Sequence, residues 1–154
     1  MVMDRYLLLL FLICLTSSVN ASSFEGKVTH IYDGDTLAVS YRGQSFKVRL
    51  LYIDAPEHDQ RYGSASKSML QKIVGNRDVR IEYDQKDKYG RLLGLVYLDG
   101  YNVNATMVDR GMAWVYRQYS DDARLLELEQ RARNTKKGLW HDAAPIAPWK
   151  WRHR

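Results

Sequence analysis

Acidic residues bracket one short stretch of this chain, with Asp33 and Asp35 at its start and Asp54 and Glu57 at its close. Between them lie two segments of period-two patterning, Thr36–Tyr41 and Gln44–Leu51, joined by Arg42-Gly43. A hairpin brings its outer ends together, so the four carboxylates can converge on one small volume. Crowded carboxylates repel unless a cation compensates them, and a hard divalent ion with oxygen ligands is the natural candidate. Arg49 lies just upstream of Asp54, placed to reach an anion bound beside such an ion. The chemistry served by this plan is metal-assisted hydrolysis of a phosphodiester.

The local sequence explains how these groups would be held. Asp-Gly is also a commonplace turn, in which Gly34 tolerates a positive φ and the aspartates cap. Pro56 stops the second strand and keeps Ala55 extended, which holds Asp54 and Glu57 on a stiff corner. The polar connection Glu57–Gly63 is expected to be mobile, and His58 within it receives no role.

Around this stretch the chain alternates strands and short helices. Phe24–Tyr32 reads as the first strand, and Phe46, Val48 and Leu50 share one face of the third. A helix over Ser64–Val74, capped by Ser64, would turn Ala65, Met69 and Ile73 inward and end at Gly75-Asn76. Strands follow at Asp78–Asp84 and Leu92–Leu98, then a helix over Asn102–Arg110 with Val103, Met107 and Val108 inward. Met112–Tyr116 is extended. A third helix, capped by Ser120 or Asp121, runs to about Asn134 with Leu125, Leu128 and Ala132 buried. Glu127–Arg131 and Glu129–Arg133 are expected as i, i+4 pairs on its outer face, and no chemistry is expected from it. Five strands with a helix after the third predict an α+β, mainly β fold: a five-stranded OB-type barrel with three packed helices.

At the start, Arg5 precedes an unbroken apolar run, Leu7–Leu15, and Val19-Asn20-Ala21 resembles an A-x-A cleavage site. A membrane span needs roughly 20 apolar residues, so 1–21 reads as a secretory signal peptide, with an uncleaved membrane anchor as the other reading, and the chain as secreted or periplasmic. Cleavage there removes the single cysteine, Cys14, so export rests on the leader alone. Residues 22–154 then form one domain with a basic, Trp-rich tail from about 141. A net charge of +5 with eleven tyrosines and four tryptophans suits a polyanion whose bases can stack. The interleaved Trp149-Lys150-Trp151-Arg152 could bind nucleic acid, but Trp140, Trp149 and Trp151 read better as plugs that pin the tail to the core.

Three segments together identify a resemblance. Ile31-Tyr32-Asp33-Gly34-Asp35-Thr36, Val48 through Glu57, and Asp87-Lys88-Tyr89-Gly90-Arg91 closely resemble the staphylococcal nuclease (thermonuclease) family, in order and spacing, across about Phe24–Trp140. The resemblance implies an OB-fold barrel and a secreted Ca²⁺-dependent phosphodiesterase acting on DNA and RNA. It implies Asp35 and Asp54 as carboxylate ligands of Ca²⁺, with the backbone carbonyl of Ala55 as a third. Glu57 is then the residue that orients or deprotonates the attacking water, and Arg49 and Arg91 clamp the scissile phosphate. Lys88 and Tyr89 become contacts to a terminal or neighbouring phosphate, while Asp33 shapes the turn. Neither a stable protein partner nor a membrane association of the mature chain is implied, and a monomer is expected.

Two departures stand out. The Glu57–Tyr62 loop is shorter than in familiar members, which bears on access to Glu57. The stretch Ala113–Tyr119 does not align cleanly with the family's tyrosine pocket, leaving Tyr116 and Tyr119 as candidates for stacking on a base. A catalytically inactive OB-fold module that only binds nucleic acid would show erosion of the acid and arginine set. Asp35, Arg49, Asp54, Glu57 and Arg91 are all present. A basic envelope-associated structural protein is a third reading, and the clustered acids argue against it.

Overall fold

The computed structural model describes residues 22–154, so the expected leader over 1–21 lies outside the described residues. Five strands close a barrel: β1 (Ser22–Ile31), β2 (Thr36–Tyr41), β3 (Gln44–Leu50), β5 (Asp78–Lys86) and β6 (Leu92–Leu98). β1 pairs antiparallel with β2 and β5, β2 with β3, and β5 with β6. Closure comes from a parallel pairing of β3 with β6, Val48 opposite Leu92 and Arg49 opposite Leu93. Closing the ring satisfies edges that a five-stranded open sheet would leave bare. Inside, Val28, Leu37, Val39, Val48, Leu50, Val79, Ile81, Leu92 and Val96 are almost fully buried. The alternation read from the sequence therefore sets which face of each strand turns inward. The fold is the expected OB-type α+β barrel.

The short β4 (Ile53–Asp54) pairs antiparallel with β8 (Trp114–Val115), outside the barrel proper, and β7 (Tyr101–Asn102) adds a hairpin partner to β6. Helices α1 (Gly63–Val74), α2 (Val103–Asp109) and α3 (Ala123–Asn134) pack around the barrel. A 3₁₀ turn at Gly138–His141 and a single helical turn, α4 (Pro148–Trp151), complete the tail.

The helices correct several expectations. α1 begins at Gly63, after Tyr62 in a left-handed conformation with no side-chain cap, so Ser64 is not the cap. Its buried positions are Ser66, Leu70 and Val74, while Ala65 is exposed and Met69 and Ile73 are half-buried. The stripe shifts by one because Ser66 faces the core polar-side, its Oγ donating to the Met112 carbonyl at 2.6 Å. α2 turns Val103, Met107 and Val108 inward as expected, and Asn102 caps it by accepting from the Ala105 N–H. α3 is capped by Asp122, neither Ser120 nor Asp121, through bonds from the N–H groups of Arg124 and Leu125.

Glu129 is not on the outer face of α3. Its side chain is 1% exposed and accepts from the Val115 N–H at 2.9 Å, from Arg117 at 2.7 Å and from Arg133 at 3.3 Å. A buried carboxylate persists when its lone pairs are satisfied, as they are here. Arg131 reaches Asp109 at 2.7 Å in place of Glu127. Thus α3 locks β8, and β8 in turn backs β4, which carries Asp54.

Candidate active site

The site begins at the turn between β1 and β2. Asp33 accepts from the Asp35 N–H at 3.0 Å and shapes the turn, as expected. Gly34 is required for a different reason than a positive φ: a Cβ there would sit 1.9 Å from Ser66 Oγ and 2.8 Å from the Ala55 methyl. The turn is pressed against α1 and the Asp54–Pro56 corner, and only glycine permits that approach. Asp35 is consequently drawn inward, 5% exposed. Its Oδ2 accepts from the Ala55 N–H at 2.7 Å and its Oδ1 from the Thr36 hydroxyl at 3.0 Å.

Arg49, on the outer face of β3, ties the two aspartates together. Its Nη2 lies 3.1 Å from Asp35 Oδ2 and 3.0 Å from Asp54 Oδ1, while Nη1 donates to the Leu50 and Ile53 carbonyls at 2.6 and 2.9 Å. One cationic nitrogen thus sits between two buried carboxylates. Burial raises the Asp35 carboxyl to about 6 against the opposing pull of Arg49, with the Asp33 charge adding to the rise. The Asp54 carboxyl is raised too, first by burial and then by the Asp35 charge, while Arg152 and Arg49 pull it down. These acids are held closer, and drier, than they would choose to be if ionised without a cation.

Glu57 joins the group through a residue from the far end of the chain. Arg152 donates from Nη1 to Glu57 Oε1 at 2.6 Å and to Asp54 Oδ1 at 3.1 Å, and from Nη2 to Asp54 Oδ2 at 2.8 Å. The loop bearing Glu57, expected to be mobile, is closed by its own bonds. Glu57 N–H donates to the Gln60 side chain at 3.1 Å, Gln60 N–H to the Glu57 carbonyl at 3.0 Å, and Gln60 Nε2 to the Ile146 carbonyl at 2.6 Å. A Cβ at Gly63 would lie 1.9 Å from the Glu57 carbonyl, so the loop folds directly back on the start of α1. A short loop leaves no slack for anything else.

Arg91, Lys88 and Tyr89 lie on the β5–β6 turn, apart from the acid cluster. Asp87 organises this turn, accepting from the N–H groups of Tyr89 and Arg91 at 2.9 and 3.0 Å and from Arg91 Nε at 2.6 Å. Burial pushes the Asp87 carboxyl up, and those three donors outweigh it and leave the group below its usual range. Arg49 opposes Leu93 in the parallel pairing. Arg91 closes the turn two residues before Leu93, beside the end of β6 that pairs with β3. Tyr89 is 72% exposed, with the Lys88 ammonium 5.1 Å and the Arg91 guanidinium 5.5 Å from its ring centre.

The two aromatic candidates diverge. Tyr116 hydrogen-bonds through its N–H to the Tyr52 carbonyl at 2.8 Å, next to β4, but Trp149 stacks on its ring at 5.3 Å and 6°. One of its faces is therefore taken by the tail. Tyr119 packs edge-on against Tyr116 and is 61% exposed. Trp140 is buried beside Leu139 and Ala132, the plug expected of it.

Sequence reasoning missed two residues. The role of Asp87 was signalled by its position opening a turn, since an aspartate there bonds to N–H groups two and more residues on. Nothing local signalled Arg152, whose partners lie 95 and 98 positions away.

A closed OB barrel with a cation-bridged pair of buried acids and a second arginine on the β5–β6 turn fits the class of phosphodiester hydrolases. Comparison with known proteins narrows it. The family model for the staphylococcal nuclease homologue matches residues 47–142. An endonuclease of Escherichia coli O157:H7 is 47% identical over 137 residues, covering 88% of this chain and 90% of that protein. An endonuclease of Haemophilus influenzae is 41% identical over 155 residues, covering 98% and 87%. A micrococcal nuclease of Shigella flexneri is 41% identical over 142 residues, covering 85% and 82%. The chain belongs to the staphylococcal nuclease homologue family. It is an endonuclease, a hydrolase of phosphodiester bonds.

Proposed function

We propose that this endonuclease is Ca²⁺-dependent and cuts DNA and RNA with little sequence specificity, fastest where strands are single or breathing. The observation that carries this reading is the convergence of Asp35 Oδ2 and Asp54 Oδ1 on one guanidinium nitrogen at 3.1 and 3.0 Å. Two buried acids that already share one cation have the donor chemistry a hard divalent ion takes. Among the described residues no three acidic, histidine or cysteine side chains close on a point by themselves. Asp35 and Asp54 would hold the ion with the Ala55 carbonyl, leaving water and a phosphate oxygen to complete its shell. When bound there, Ca²⁺ would neutralise a non-bridging phosphate oxygen and fix its orientation.

The remaining work falls to the chain's own groups. Glu57, on the same corner as Asp54, orients the attacking water or takes its proton. Arg49, mounted on the Leu50 and Ile53 carbonyls, and Arg91, mounted on Asp87, donate to the phosphate oxygens as charge gathers on them. A planar fork that stays charged at any working pH suits this better than lysine. Lys88 and the exposed Tyr89 contact a terminal or neighbouring phosphate, and Tyr119, with what remains open of Tyr116, offers rings to splayed bases. Phosphate-driven binding of this kind weakens with salt. The mature protein, from Ser22, acts as an exported monomer in the periplasm or outside the cell.

The test is digestion of heat-denatured and duplex DNA, and of RNA, by the protein from Ser22 with Ca²⁺, Mg²⁺ or chelator. Rapid Ca²⁺-dependent cutting of denatured DNA, lost with chelator and in Asp54→Asn, is expected. Equal cutting in chelator would overturn the metal reading, and a strong preference for intact duplex would overturn the substrate reading.

A further inference from the structure

Arg152 occupies the acids that the proposed function gives to a metal. Asp54 Oδ1 accepts from both Arg49 Nη2 and Arg152 Nη1, and Oδ2 accepts from Arg152 Nη2. A carboxylate oxygen has about two acceptor directions, so Oδ1 is saturated by its two guanidinium donors. Glu57 Oε1 is taken by the same arginine at 2.6 Å. Two guanidinium charges already offset most of the charge of Asp35, Asp54 and Glu57. A divalent ion entering this group gains little unless one of them leaves.

The two arginines are not equally free to leave. Arg49 is 13% exposed and pinned by two backbone carbonyls, whereas Arg152 is 37% exposed and follows a single turn of helix. Pro148 is buried, but no residue after it is. Beyond Pro148 the tail is held by Trp149, stacked on Tyr116 and edge-on to Trp114, by a 3.1 Å bond from Trp151 Nε1 to Asp59, and by Arg152 itself. Only the Trp151–Asp59 bond is exposed and weak on its own; the part-buried Arg152 fork on Asp54 is released only when another cation takes its place.

We propose that Arg152 is a tethered stand-in for the divalent cation: with α4 it straps the Asp54–Glu57 corner and must swing out for the ion to bind. Ion binding and tail docking then oppose each other, and by linkage each weakens the other by the same factor. Release of the strap also lifts Trp149 from Tyr116, so the cation that completes the site uncovers an aromatic ring beside it. This inference rests on the divalent-ion reading.

Calorimetric titration of Ca²⁺ into the protein from Ser22 tests it, with Arg152→Ala, Lys150→Ala and Asp54→Asn alongside. Arg152→Ala should bind Ca²⁺ about five- to tenfold tighter than wild type, within the usual range of coupling between sites. Lys150→Ala removes the same charge from the exposed face of the same turn and should change affinity less than about twofold. Hydrogen exchange of residues 148–154 in wild type should quicken when Ca²⁺ is added. Equal affinities for Arg152→Ala and Lys150→Ala, or a tail equally protected with and without Ca²⁺, overturn the strap while binding lost in Asp54→Asn preserves the metal site. Failure of every variant to bind Ca²⁺ overturns both.

Discussion

Two arginines of the candidate site sit in opposite settings. Arg49 is nearly enclosed and holds together two buried carboxylates whose affinity for protons is raised. Arg91 stands on a turn, held by one carboxylate whose proton affinity is lowered. The first arrangement is strained in charge: the acids would be more comfortable neutral, and a cation is what keeps them ionised. The second is relaxed, a favourable pair that presents an arginine without needing anything more. A metal centre calls for the first kind of site and a positioning clamp for the second.

The largest effect that separates them is Arg49→Ala. It removes a phosphate donor, which should lower kcat roughly 10²-fold or more, as loss of an oxyanion-hole donor does. It also leaves buried Asp35 without its cation and Asp54 with Arg152 alone, and should cost about 3–5 kcal/mol in stability, measured by urea unfolding in chelator. Arg91→Ala should match that loss of kcat, yet move stability by less than about 1 kcal/mol, because its pair is partly solvated. Similar stability losses in the two variants would erase the distinction drawn here.

The same contrast explains what could be read from sequence. The barrel was legible because period-two alternation at Phe46, Val48 and Leu50, or Val79 and Ile81, is fixed by which face each strand buries. Asp35, Arg49 and Asp54 were legible because a hairpin and a proline corner are local devices that bring nearby segments together. What failed depended on contacts across the chain. Ser66 faces inward because it bonds Met112, Glu129 because it holds Val115, and Arg152 because the tail crosses the corner. None of these residues is apolar, so no hydrophobic pattern marks them. Gly34 was assigned the right residue for the wrong reason: the demand is space beside Ser66 and Ala55, and a turn's sequence does not show its neighbours.

Next in size is the pH dependence of the buried acid. Asp35 rises from an ordinary 3.8 to about 6 in the folded chain, so its ionisation opposes folding. That cost is absent below about pH 4, grows between about 4 and 6, and is fully present above 6. In chelator, Asp35→Asn should therefore be more stable than wild type at pH 7, by on the order of 2 kcal/mol. The gain should fade as the pH falls from 6 toward 4. An asparagine can keep the Ala55 N–H as donor to its carbonyl and turn its amide toward the Thr36 hydroxyl, which accepts. A variant less stable than wild type across this range would mean that the acid pair is content without a cation.

Asp87 should behave in the reverse sense and more weakly. Its carboxyl is lowered below 3.8, so its contribution to stability is present above that value and is lost as the pH falls through the folded one. Asp87→Ala should thus cost less than about 1 kcal/mol at pH 7, and the cost should shrink as the pH falls below 3.8, opposite in sign to Asp35→Asn. Its effect on turnover should be the more visible one. Without the bond to Arg91 Nε and the two turn N–H bonds, the guanidinium samples more positions, and roughly tenfold in kcat is a reasonable loss for a clamp left charged but unaimed. Substrate binding, which depends on charge more than on aim, should weaken less, so KM should move little. A rise in KM with kcat unchanged would mean that Arg91 only attracts the nucleic acid, and the second arginine would cease to be part of the reacting geometry.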